Sequence, residues 1–439
     1  MAEIFPFAAL RYDASRVSLP SVVTQPYDKI TPAMQERYYA STPYNLVRII
    51  LGKTEKGDGN DDNVYTRGAR DFAYWRQQGI LRRDPKPSIY RYTQSFEAPG
   101  SRELLTRSGF IALGRICDYS EKIIFRHEQT LSSPKTDRLN LLRATRAHFG
   151  QIFMLYSDLA CDVDSLLQSN SPPDLEVRDE YGMQHRLWAV SDPQIIEGVQ
   201  AGMKQKQLII ADGHHRYETA LTYRNEQRQS NGVTTPLPCA PYEKVMMTFV
   251  NMDSPGLVIL PTHRVVFGAD PQRVATLPQA AQEFFEVREV GGATMNEALW
   301  KLESAGAQST AILLSTTKTF FLLRARNENI DAFLSQLSPR QRKLDVVVLH
   351  KLILENLLGI SEEAIREQRN VHYYREAHEA VAQVRPGPGK NPPAQLAFLL
   401  NPIRASQLRE VALAGEVMPQ KSTDFYPKLL SGLTIYALD

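Results

Sequence analysis

Cysteine is scarce in this sequence, and an excess of charge of either sign is absent. The 439 residues include three cysteines, Cys117, Cys161 and Cys239, which lie far apart and form no Cys-x-x-Cys pair. We therefore predict neither a disulfide framework nor a zinc ribbon, and we expect a reducing compartment. Because 51 Lys and Arg side chains nearly balance 49 Asp and Glu side chains, the composition gives no support to a general nucleic-acid-binding surface, although a local basic patch is compatible with it.

Long apolar runs are missing too. No stretch of about eighteen consecutive apolar residues occurs, so no membrane span is predicted. The first residues, MAEIFPFAALRYD, lack the basic start and the long apolar core of a secretory signal. We therefore expect a soluble cytoplasmic protein, and a chain of this length with 43% hydrophobic residues can form two or three domains.

Several common catalytic and nucleotide-binding motifs are also absent. The phosphate-binding motif GxxxxGK[ST] does not occur, because Leu51-Gly52-Lys53-Thr54 carries only its second half and Val47 stands where the first glycine is required. The motifs GxGxxG, HExxH and GxSxG are missing as well. Any nucleotide site must therefore be of a less common kind.

Strand-like and helix-like segments alternate along the chain, which predicts an α/β protein with mixed sheets. Asn45–Leu51 is predicted as a strand, and Arg138–Phe149 is predicted as a basic helix. A boundary is predicted near the loop Pro236–Pro241. This gives an N-terminal domain over residues 1–240 and an α/β C-terminal domain over residues 241–439.

The strongest candidate site is the stretch LIIADGHHRYETAL, which begins at Leu208. Its apolar start has the pattern of a buried strand, Asp212-Gly213 interrupts it, and a helix is predicted from His214 onward. The first N–H groups of a helix have no acceptor within it, and the helix dipole is positive there, so this turn is predicted to bind an anion. Gly213 would let a phosphate approach the backbone, and Arg216 could donate two hydrogen bonds to it.

Two other interpretations of this stretch stay open. The first is a tight turn with surface histidines and no ligand, which we consider less favoured because polar donors directly follow the glycine. The second is a metal site, since His214 and Glu218 are four residues apart on one helical face and Asp212 is close. Without a second cluster of ligands, this is weaker than anion binding.

A second candidate is the basic region that begins at Arg126-His127-Glu128. Glu128 could hold Mg²⁺ or act as a base, and it could equally pair with Arg126. Arg143 and Arg146 are three residues apart on the predicted helix, so they could converge on one anion. A solvated basic face explains the same spacing equally well.

A third candidate lies in the stretch MPQKSTDFYPK. Lys421-Ser422-Thr423 offers a cation and two hydroxyl groups. A polar loop before a final strand, Leu433–Ala437, is the slightly favoured alternative. Thr262-His263-Arg264 similarly lies at the end of a strand, where loops carry function.

These motifs, taken together, resemble the bacterial and archaeal domain-of-unknown-function family 1015, in order and over nearly the whole chain. The stretches that carry the resemblance are QPYDKIT, TPYN, RHEQT, KTDRLNLLRATRAHF, ADGHHRYETAL, PTHR, LDVVVLHKLIL and MPQKSTDFYPKLLSGL. The family has no settled function, so the resemblance alone implies no activity.

A more distant similarity implies more. Gly213-His214-His215-Arg216 is similar to the Gly-x-x-Arg phosphate loop of the ParB/sulfiredoxin superfamily, and this implies a ParB/sulfiredoxin-like core within residues 1–240. ParB proteins bind CTP at this loop, sulfiredoxins use ATP there together with a catalytic cysteine, and free serine kinases phosphorylate L-serine with ADP or ATP. His214 stands where a sulfiredoxin has its cysteine, so we do not expect sulfinic acid repair.

The resemblance therefore implies a nucleotide-dependent phosphotransferase that acts on a small hydroxylated metabolite, with free L-serine and its product O-phosphoserine as the first hypothesis. Its cofactors would be ATP or ADP, or else CTP, with Mg²⁺. In this hypothesis Gly213, His214 and His215 hold phosphates, and Arg216 stabilises the charge on the transferred group.

The remaining candidate residues have secondary roles in this hypothesis. Mg²⁺ would be held by Asp212 or Glu128. Asp28 and Glu36 are candidates to accept the proton of the substrate hydroxyl. The basic and hydroxyl side chains that would help to bind the nucleotide are Arg143, Arg146, Lys421, Ser422 and Thr423.

A rival hypothesis is a non-catalytic switch that senses CTP or ATP at the same loop and binds a protein partner. A hydrolase or a ligase-like enzyme that binds a substrate phosphate is a third. We expect a nucleotide and a small-molecule substrate as ligands, we expect neither a membrane nor a nucleic acid as a partner, and we leave a homodimer open.

Overall fold

The computed structural model describes residues 1–128, 133–233, 237, 239–385 and 393–439. The strands in chain order are β1 Ile4–Phe5, β2 Leu10–Tyr12, β3 Leu81–Arg83, β4 Ile89–Glu97, β5 Leu104–Arg115, β6 Ile124–Phe125, β7 Ala147–His148, β8 Ile152–Tyr156, β9 Leu175–Arg178, β10 Gln184–Val190, β11 Leu208–Asp212, β12 Lys244–Asn251, β13 Val258–Leu260, β14 His263–Val266, β15 Phe285–Glu289, β16 Ala311–Ser315, β17 Phe320–Ala325, β18 Val371–Tyr374, β19 Leu396–Leu400, β20 Asp424–Tyr426 and β21 Tyr436–Ala437.

The α-helices in chain order are α1 Leu19–Val22, α2 Pro32–Ser41, α3 Val47–Ile50, α4 Val64–Gln77, α5 Ser133–Thr145, α6 Asp162–Leu166, α7 Pro193–Met203, α8 His214–Ser230, α9 Pro271–Ala280, α10 Met295–Gly306, α11 Asn327–Phe333, α12 Pro339–Arg342, α13 Asp345–Val348, α14 Glu362–Arg366, α15 Ala377–Val384 and α16 Ala405–Leu413. Short 3₁₀ turns cover Tyr27–Lys29, Tyr119–Glu121, Pro241–Glu243 and Ala281–Glu283. Leu349–Leu357 is a π-helix.

The chain forms two compact units, and each contains both helices and sheet. The described residues of the first unit fall within 1–126, 130–258 and 427–439, and those of the second fall within 127–129 and 259–426. The predicted mixed α/β class is confirmed. The boundary at residue 240 stays a prediction. Residues 427–439 return to the first unit, so the two units are not two consecutive segments of the chain.

The first unit is built on one large mixed sheet with the strand order β6-β11-β8-β12-β5-β4-β10-β9. β11 runs parallel to β6 and antiparallel to β8, and β8 runs parallel to β12. Buried side chains of these strands, among them Ile152, Met154, Ile210 and Phe249, pack together in one hydrophobic core. β11 therefore enters its turn from the interior of a sheet.

The second unit contains an antiparallel sheet with the strand order β15-β17-β16-β19-β14-β18. Of its central strands, β19 is apolar throughout and β16 is apolar except for Ser315, and all five residues of each are buried. Helices α10 and α15 contribute Leu302 and Ala380 to the core that packs on this sheet. The hydrophobic effect of these contacts is what fixes the helices on the sheet.

Helix starts follow the local chemistry that the sequence carries. The hydroxyl of Thr31 accepts the N–H of Met34 at the start of α2, and the carboxylate of Asp192 accepts the N–H of Gln194 at the start of α7. Proline occupies an early helical position in both. These are the residue types that satisfy the first N–H groups of a helix at little conformational cost.

The prediction of a strand over Asn45–Leu51 is wrong, because α3 occupies Val47–Ile50. The side chain of Asn45 accepts the N–H of Val47 at 2.9 Å, which favours a helical turn. Leu46, Val47 and Ile50 are all buried. A short apolar run that is buried on all sides has no periodicity to distinguish a helix from a strand.

The predicted helix Arg138–Phe149 is displaced. The observed helix, α5, ends at Thr145, and Arg146 follows it with a left-handed φ of 49°. Ala147 and His148 then form β7, which pairs with β21 from the end of the chain. The helix thus ends where the chain pairs with a distant segment, and the neighbouring sequence contains no signal for this pairing. The final strand is also shorter than predicted, since β21 covers only Tyr436–Ala437.

Among the helices of the described part of the chain, none combines the length and the apolarity that crossing a membrane requires.

Candidate functional site in the first unit

The turn between β11 and α8 is closed by Gly213, which has a φ of 92°. A side chain is strained in this left-handed region. A Cβ atom at this position would also lie 3.0 Å from Nε of Arg216. The Gly213 N–H donates to Oδ1 of Asp212 at 2.8 Å. Glycine is therefore favoured here by the backbone conformation, and a larger residue would also displace the guanidinium of Arg216.

Helix α8 begins directly after this glycine and runs for 17 residues. The bond that closes its first turn joins the N–H of Tyr217 to the carbonyl of Gly213 at 2.9 Å. The N–H groups of His214, His215 and Arg216 thus belong to the first turn, where a helix has no acceptor of its own and its dipole is positive. Because α8 starts at the end of an interior strand, this positive terminus is rigidly placed.

Asp212 lies within a group of positive side chains. Its Oδ2 is 3.5 Å from Nζ of Lys428, and its Oδ1 is 3.8 Å from Nη2 of Arg216. Burial alone would raise the pKa of this carboxyl group, but the positive charges of Lys428, Arg216, Lys29 and His214 outweigh burial and hold the pKa well below its usual range. Even with Asp212 ionised, three permanent cations, Lys428, Arg216 and Lys29, act on this one carboxylate, so they outnumber it.

Arg216 is held on the inner side of this turn. Its Nη1 donates to the carbonyl of Gln151, and a Cβ atom at Gly150 would lie 3.2 Å from the same nitrogen. A narrow cavity of about 70 Å³ lies beside its guanidinium, with Thr219 and Ser431 in its lining. The Thr219 hydroxyl is buried and has no hydrogen-bond partner among the described residues. Arg216 and Thr219 thus contribute polar groups to a cavity that apolar residues such as Leu142 and Phe149 also line.

Tyr27 and Arg138 line the same cavity. The guanidinium of Arg138 lies 4.1 Å from the centre of the Tyr27 ring and donates to the carbonyl of Ile50 at 2.6 Å. Burial raises the pKa of Tyr27, Asp28 raises it further, and Arg138 and Arg216 oppose both. The predicted residue Asp28 is exposed and, like Arg216, acts on the pKa of Tyr27.

Two other predicted residues of the first unit pair elsewhere, and a third lies outside the helix on which it was predicted. Glu36 lies on the exposed face of α2 and forms an ion pair with Lys53 at 2.6 Å. Arg143 donates to both carboxylate oxygens of Glu226, at 2.6 and 3.1 Å. Arg146 is exposed and lies beyond the end of α5. The premise that Arg143 and Arg146 share a helical face is therefore wrong.

The structure does not favour a metal site formed by His214 and Glu218, because Glu218 is engaged by two cations. The carboxylate of Glu218 is only slightly exposed and forms ion pairs with Arg126, at 3.7 Å, and with Lys135. A carboxylate neutralised by two cations attracts a metal ion poorly. Within the described ranges, no three His, Cys, Asp or Glu side chains are grouped so that they could bind a metal ion.

The remaining predicted residues belong to the second unit. Oε1 of Glu128 accepts the N–H and the hydroxyl of Thr423, at 3.1 and 3.2 Å, and Nε2 of His127 lies 2.8 Å from that hydroxyl. The hydroxyl of Ser422 donates to the carbonyl of Pro419 at 2.5 Å. Lys421 is exposed and has a left-handed φ of 55°. Glu128 and Thr423 are thus brought together, while Ser422 is used in a turn.

From the sequence it stayed open whether Lys421–Lys428 share the pocket of His214, and Lys29 had no predicted role at the turn. Lys428 ends the stretch MPQKSTDFYPK, which the two units divide between them. Residues 427–439 belong to the first unit, whereas Lys421–Thr423 belong to the second. Lys29 lies within QPYDKIT, one of the stretches that carry the family resemblance. A lone lysine carries no local sign of its distant partner, so the family motifs were the only available indication.

Comparisons with known proteins identify one matching family and several solved structures that are similar in fold. The model of a family described as "Protein of unknown function (DUF1015)" matches residues 4–347. No curated protein matches the chain. A conserved hypothetical protein from Pyrococcus furiosus is similar in structure, at 14% identity and a TM-score of 0.35, over 72% of this chain and 92% of that one.

Two further solved structures are similar at the same level. A free serine kinase in complex with AMP matches at 15% identity and a TM-score of 0.34, over 69% of this chain and 83% of that one. SbnI with a C-terminal truncation, from Staphylococcus aureus, matches at 10% identity and a TM-score of 0.35, over 74% of this chain and 87% of that one.

Proposed function

The chain belongs to the DUF1015 family, and we propose that it binds a nucleoside di- or triphosphate at the turn between β11 and α8 and transfers a phosphoryl group to a small hydroxylated metabolite. Free L-serine is the first acceptor to test. The single observation that carries the proposal is the excess of positive charge around Asp212, which coincides with a helix N-terminus and a glycine turn.

The geometry of the turn suits phosphate. Gly213 leaves room for an anion to approach the backbone, and the first amides of α8 would donate to its oxygens. Arg216, held by the Gln151 carbonyl, and Lys428 would neutralise the charge of the phosphates. Phosphoryl transfer requires mainly positioning and neutralised charge, so these groups supply what the reaction needs.

Asp28 is the residue that we propose as the acceptor of the substrate proton. It is exposed, and it directly follows Tyr27, which lines the cavity beside Arg216. The other two candidates, Glu36 and Glu128, already hold Lys53 and Thr423. A base must lie within hydrogen-bond reach of the hydroxyl, which an exposed carboxylate with an unoccupied side can provide once the substrate is bound.

Magnesium would enter this site together with the nucleotide. The phosphates would supply most of its ligands, because Asp212, although ionised, already faces cations as Glu218 does and could only complete the set. The ion would screen charge between the phosphates. The cavity of about 70 Å³ beside Arg216 is too narrow for a nucleoside, and it suits a phosphate group or water.

The second candidate function is a nucleotide-binding switch without turnover. The observation in its favour is that two of the three carboxylates considered as bases form an ion pair or hydrogen bonds elsewhere. In this alternative the same turn binds CTP or ATP, and a protein partner reads the bound state.

One experiment separates these alternatives. The full chain is incubated with Mg²⁺ and, in turn, ATP, ADP and CTP. Binding is measured by calorimetry, and O-phosphoserine is measured by mass spectrometry after L-serine is added. Arg216→Ala is expected to weaken nucleotide binding at least about thirtyfold, because a charge-assisted bidentate contact contributes about 2 kcal/mol or more. Arg70→Ala, which removes a surface ion pair with Asp62, is the matched control and should bind as the wild type does.

Each outcome has a distinct meaning. Binding with formation of O-phosphoserine supports the kinase, and binding without turnover across a panel of hydroxylated metabolites supports the switch. If the wild type binds none of the nucleotides, both hypotheses are wrong. If Arg216→Ala binds as tightly as Arg70→Ala does, the nucleotide lies elsewhere on the chain.

A further inference from the structure

The second unit contains a π-helix in the stretch LDVVVLHKLIL, one of the motifs that the phosphate site does not use. It continues α13 and extends over Leu349–Leu357. π-helices are rare, are usually limited to a single turn, and are frequent at functional sites. Leu349, Leu352 and Ile353 of this helix are fully buried. The π-helical backbone is thus held in the hydrophobic core, so it is a defined part of the fold and not the frayed end of an α-helix.

A cavity of about 290 Å³ lies against this π-helix within the second unit. One part of its lining is apolar, with Val347, Ile365 and Met418 among its residues. The other part is polar and includes His350, Tyr373 and Gln420. A cavity with an apolar wall and a few convergent polar groups has the composition of a small-molecule site.

Two of these polar groups lack the partners that buried atoms require. The Tyr373 hydroxyl and the Nε2 of Gln420 are both inaccessible to solvent and have no hydrogen-bond partner among the described residues. Leaving a buried donor unsatisfied is costly, so native proteins rarely do so without a ligand, a water molecule or a functional reason. Both groups can donate, which points to an acceptor oxygen as the missing partner.

A buried cation lies behind them. Arg264 is 1% exposed, and its guanidinium lies 5.3 Å from the centre of the Tyr373 ring. It donates to Nε2 of His350 at 3.3 Å and to the carbonyl of Lys421 at 3.0 Å. Within the described ranges it forms no ion pair with a carboxylate. Since His350 accepts from Arg264, its ring is neutral, and Glu128, which raises the pKa of Arg264 against the effect of burial, lies beyond ion-pair distance. The positive charge behind Tyr373 is therefore only partly compensated.

The charges at the rim are balanced. Nζ of Lys351 lies 3.0 Å from Glu355 and 2.7 Å from Glu362, and Arg366 lines the same rim. The rim therefore has no net charge that would select a ligand. The selectivity for charge comes from Arg264.

We propose that this cavity binds a small aliphatic carboxylate. Its carboxylate oxygens accept hydrogen bonds from the Tyr373 hydroxyl and the Gln420 amide, in the positive field of Arg264. Its branched apolar part packs against Val347, Ile365 and Met418. This site is independent of the phosphate site, and nothing in the proposed phosphoryl transfer requires it.

The test uses the full chain and the probe 4-methylpentanoate, with the isosteric amine 4-methylpentylamine as the comparison. Binding is followed by ligand-observed NMR and by calorimetry. We expect the carboxylate to bind at least about tenfold more tightly than the amine. Tyr373→Phe should weaken carboxylate binding about fivefold, the effect of one hydrogen bond, without lowering the melting temperature of the free protein, because the hydroxyl has no partner there.

Matched variants make the result decisive. Tyr374→Phe changes the neighbouring residue of β18, which does not line the cavity, and should bind the carboxylate as the wild type does. Gln420→Glu replaces the donor by a carboxylate and should reverse the preference toward the amine. If the amine binds as well as the carboxylate, if neither binds, or if Tyr373→Phe and Tyr374→Phe behave alike, the proposal is wrong.

Discussion

Among single residues, Asp212 shows most clearly how the charge of the first unit is arranged. Its carboxylate accepts the Gly213 N–H and faces Lys428 and Arg216. It therefore reduces the repulsion among cations that would otherwise be close together at a positive helix terminus. A residue that the sequence suggested as a metal ligand thus has a structural role that does not depend on a metal.

We predict that Asp212→Asn lowers the free energy of unfolding at pH 7 by about 1–3 kcal/mol, because Lys428 and Arg216 lose their common partner. The folded-state pKa of Asp212 is depressed. Its contribution is therefore complete above the unfolded-state pKa of about 4 and is lost as the pH falls further. The difference between wild type and variant should shrink below about pH 4, as measured by urea unfolding at several pH values.

Asp61→Asn provides the control, because Asp61 is exposed in the loop before α4. It should change the free energy of unfolding by less than about 0.5 kcal/mol at every pH. An Asp212→Asn variant that is as stable as wild type at pH 7 would show that the carboxylate does not stabilise the turn.

Among the elements of the fold, the last residues of the chain are the least expected part of the first unit. β21 pairs with β7, and the N–H of Ile435 donates to the carbonyl of Leu10 at 2.9 Å. Leu433 and Ile435 are completely buried. The same segment carries Lys428 to Asp212, so the element that completes the core also completes the candidate site.

We predict that Ile435→Ala destabilises the first unit by about 2–5 kcal/mol, because it removes buried methyl and methylene groups and leaves a cavity. The control is Leu104→Ala, where the side chain is 71% exposed. Hydrogen exchange followed by mass spectrometry should show faster exchange in β7 and β8 for Ile435→Ala alone. Equal exchange in the two variants would mean that the C-terminal segment is not required for the stability of these strands.

For the molecule as a whole, buried histidines should give the second unit its own response to acid. Nδ1 of His263 accepts the N–H of Leu400 at 3.2 Å, and Nε2 of His350 accepts from Arg264. Protonation would abolish both acceptors. Burial lowers the pKa of His263 to about 4, with a further contribution from Arg264, and burial lowers the pKa of His350 well below its usual value, with Arg264 and Lys351 adding to the effect.

The sign of the pH effect follows from these shifts. Between about pH 6.5 and pH 4 the unfolded state takes up protons on these two histidines and the folded state does not, so stability falls as the pH falls. Each histidine can contribute up to about 1.4 kcal/mol per pH unit in this window. Asp345, whose pKa burial raises to about 7, works in the opposite direction.

We predict that His350→Gln makes the stability of the second unit less sensitive to pH between about 6.5 and 4, because glutamine can accept from Arg264 and does not titrate. Thermal unfolding at pH 7.5, 6 and 5 measures this directly. His378→Gln, at an exposed position of α15, should keep the dependence of the wild type. A His350→Gln variant that loses as much stability as wild type on acidification would contradict this assignment.

The sequence alone determined the features that depend on neighbouring residues. Gly213 between an apolar run and a helical pattern was sufficient to predict the strand, the turn and the helix, because backbone conformation and helix-end chemistry are local. The caps at Thr31 and Asp192 also depend only on neighbouring residues. The family motifs correctly identified the family.

Only the tertiary structure decided which side chains meet. Lys428 and Lys29 lie near Asp212, and Arg143 pairs with Glu226. The segment predicted as a strand over Asn45–Leu51 contains the buried helix α3, Val47–Ile50. These outcomes depend on pairing between distant segments, whose free energy comes from burial and charge contacts that no short stretch of sequence contains. The turn was therefore predictable, whereas the excess charge that makes it a candidate phosphate site was not.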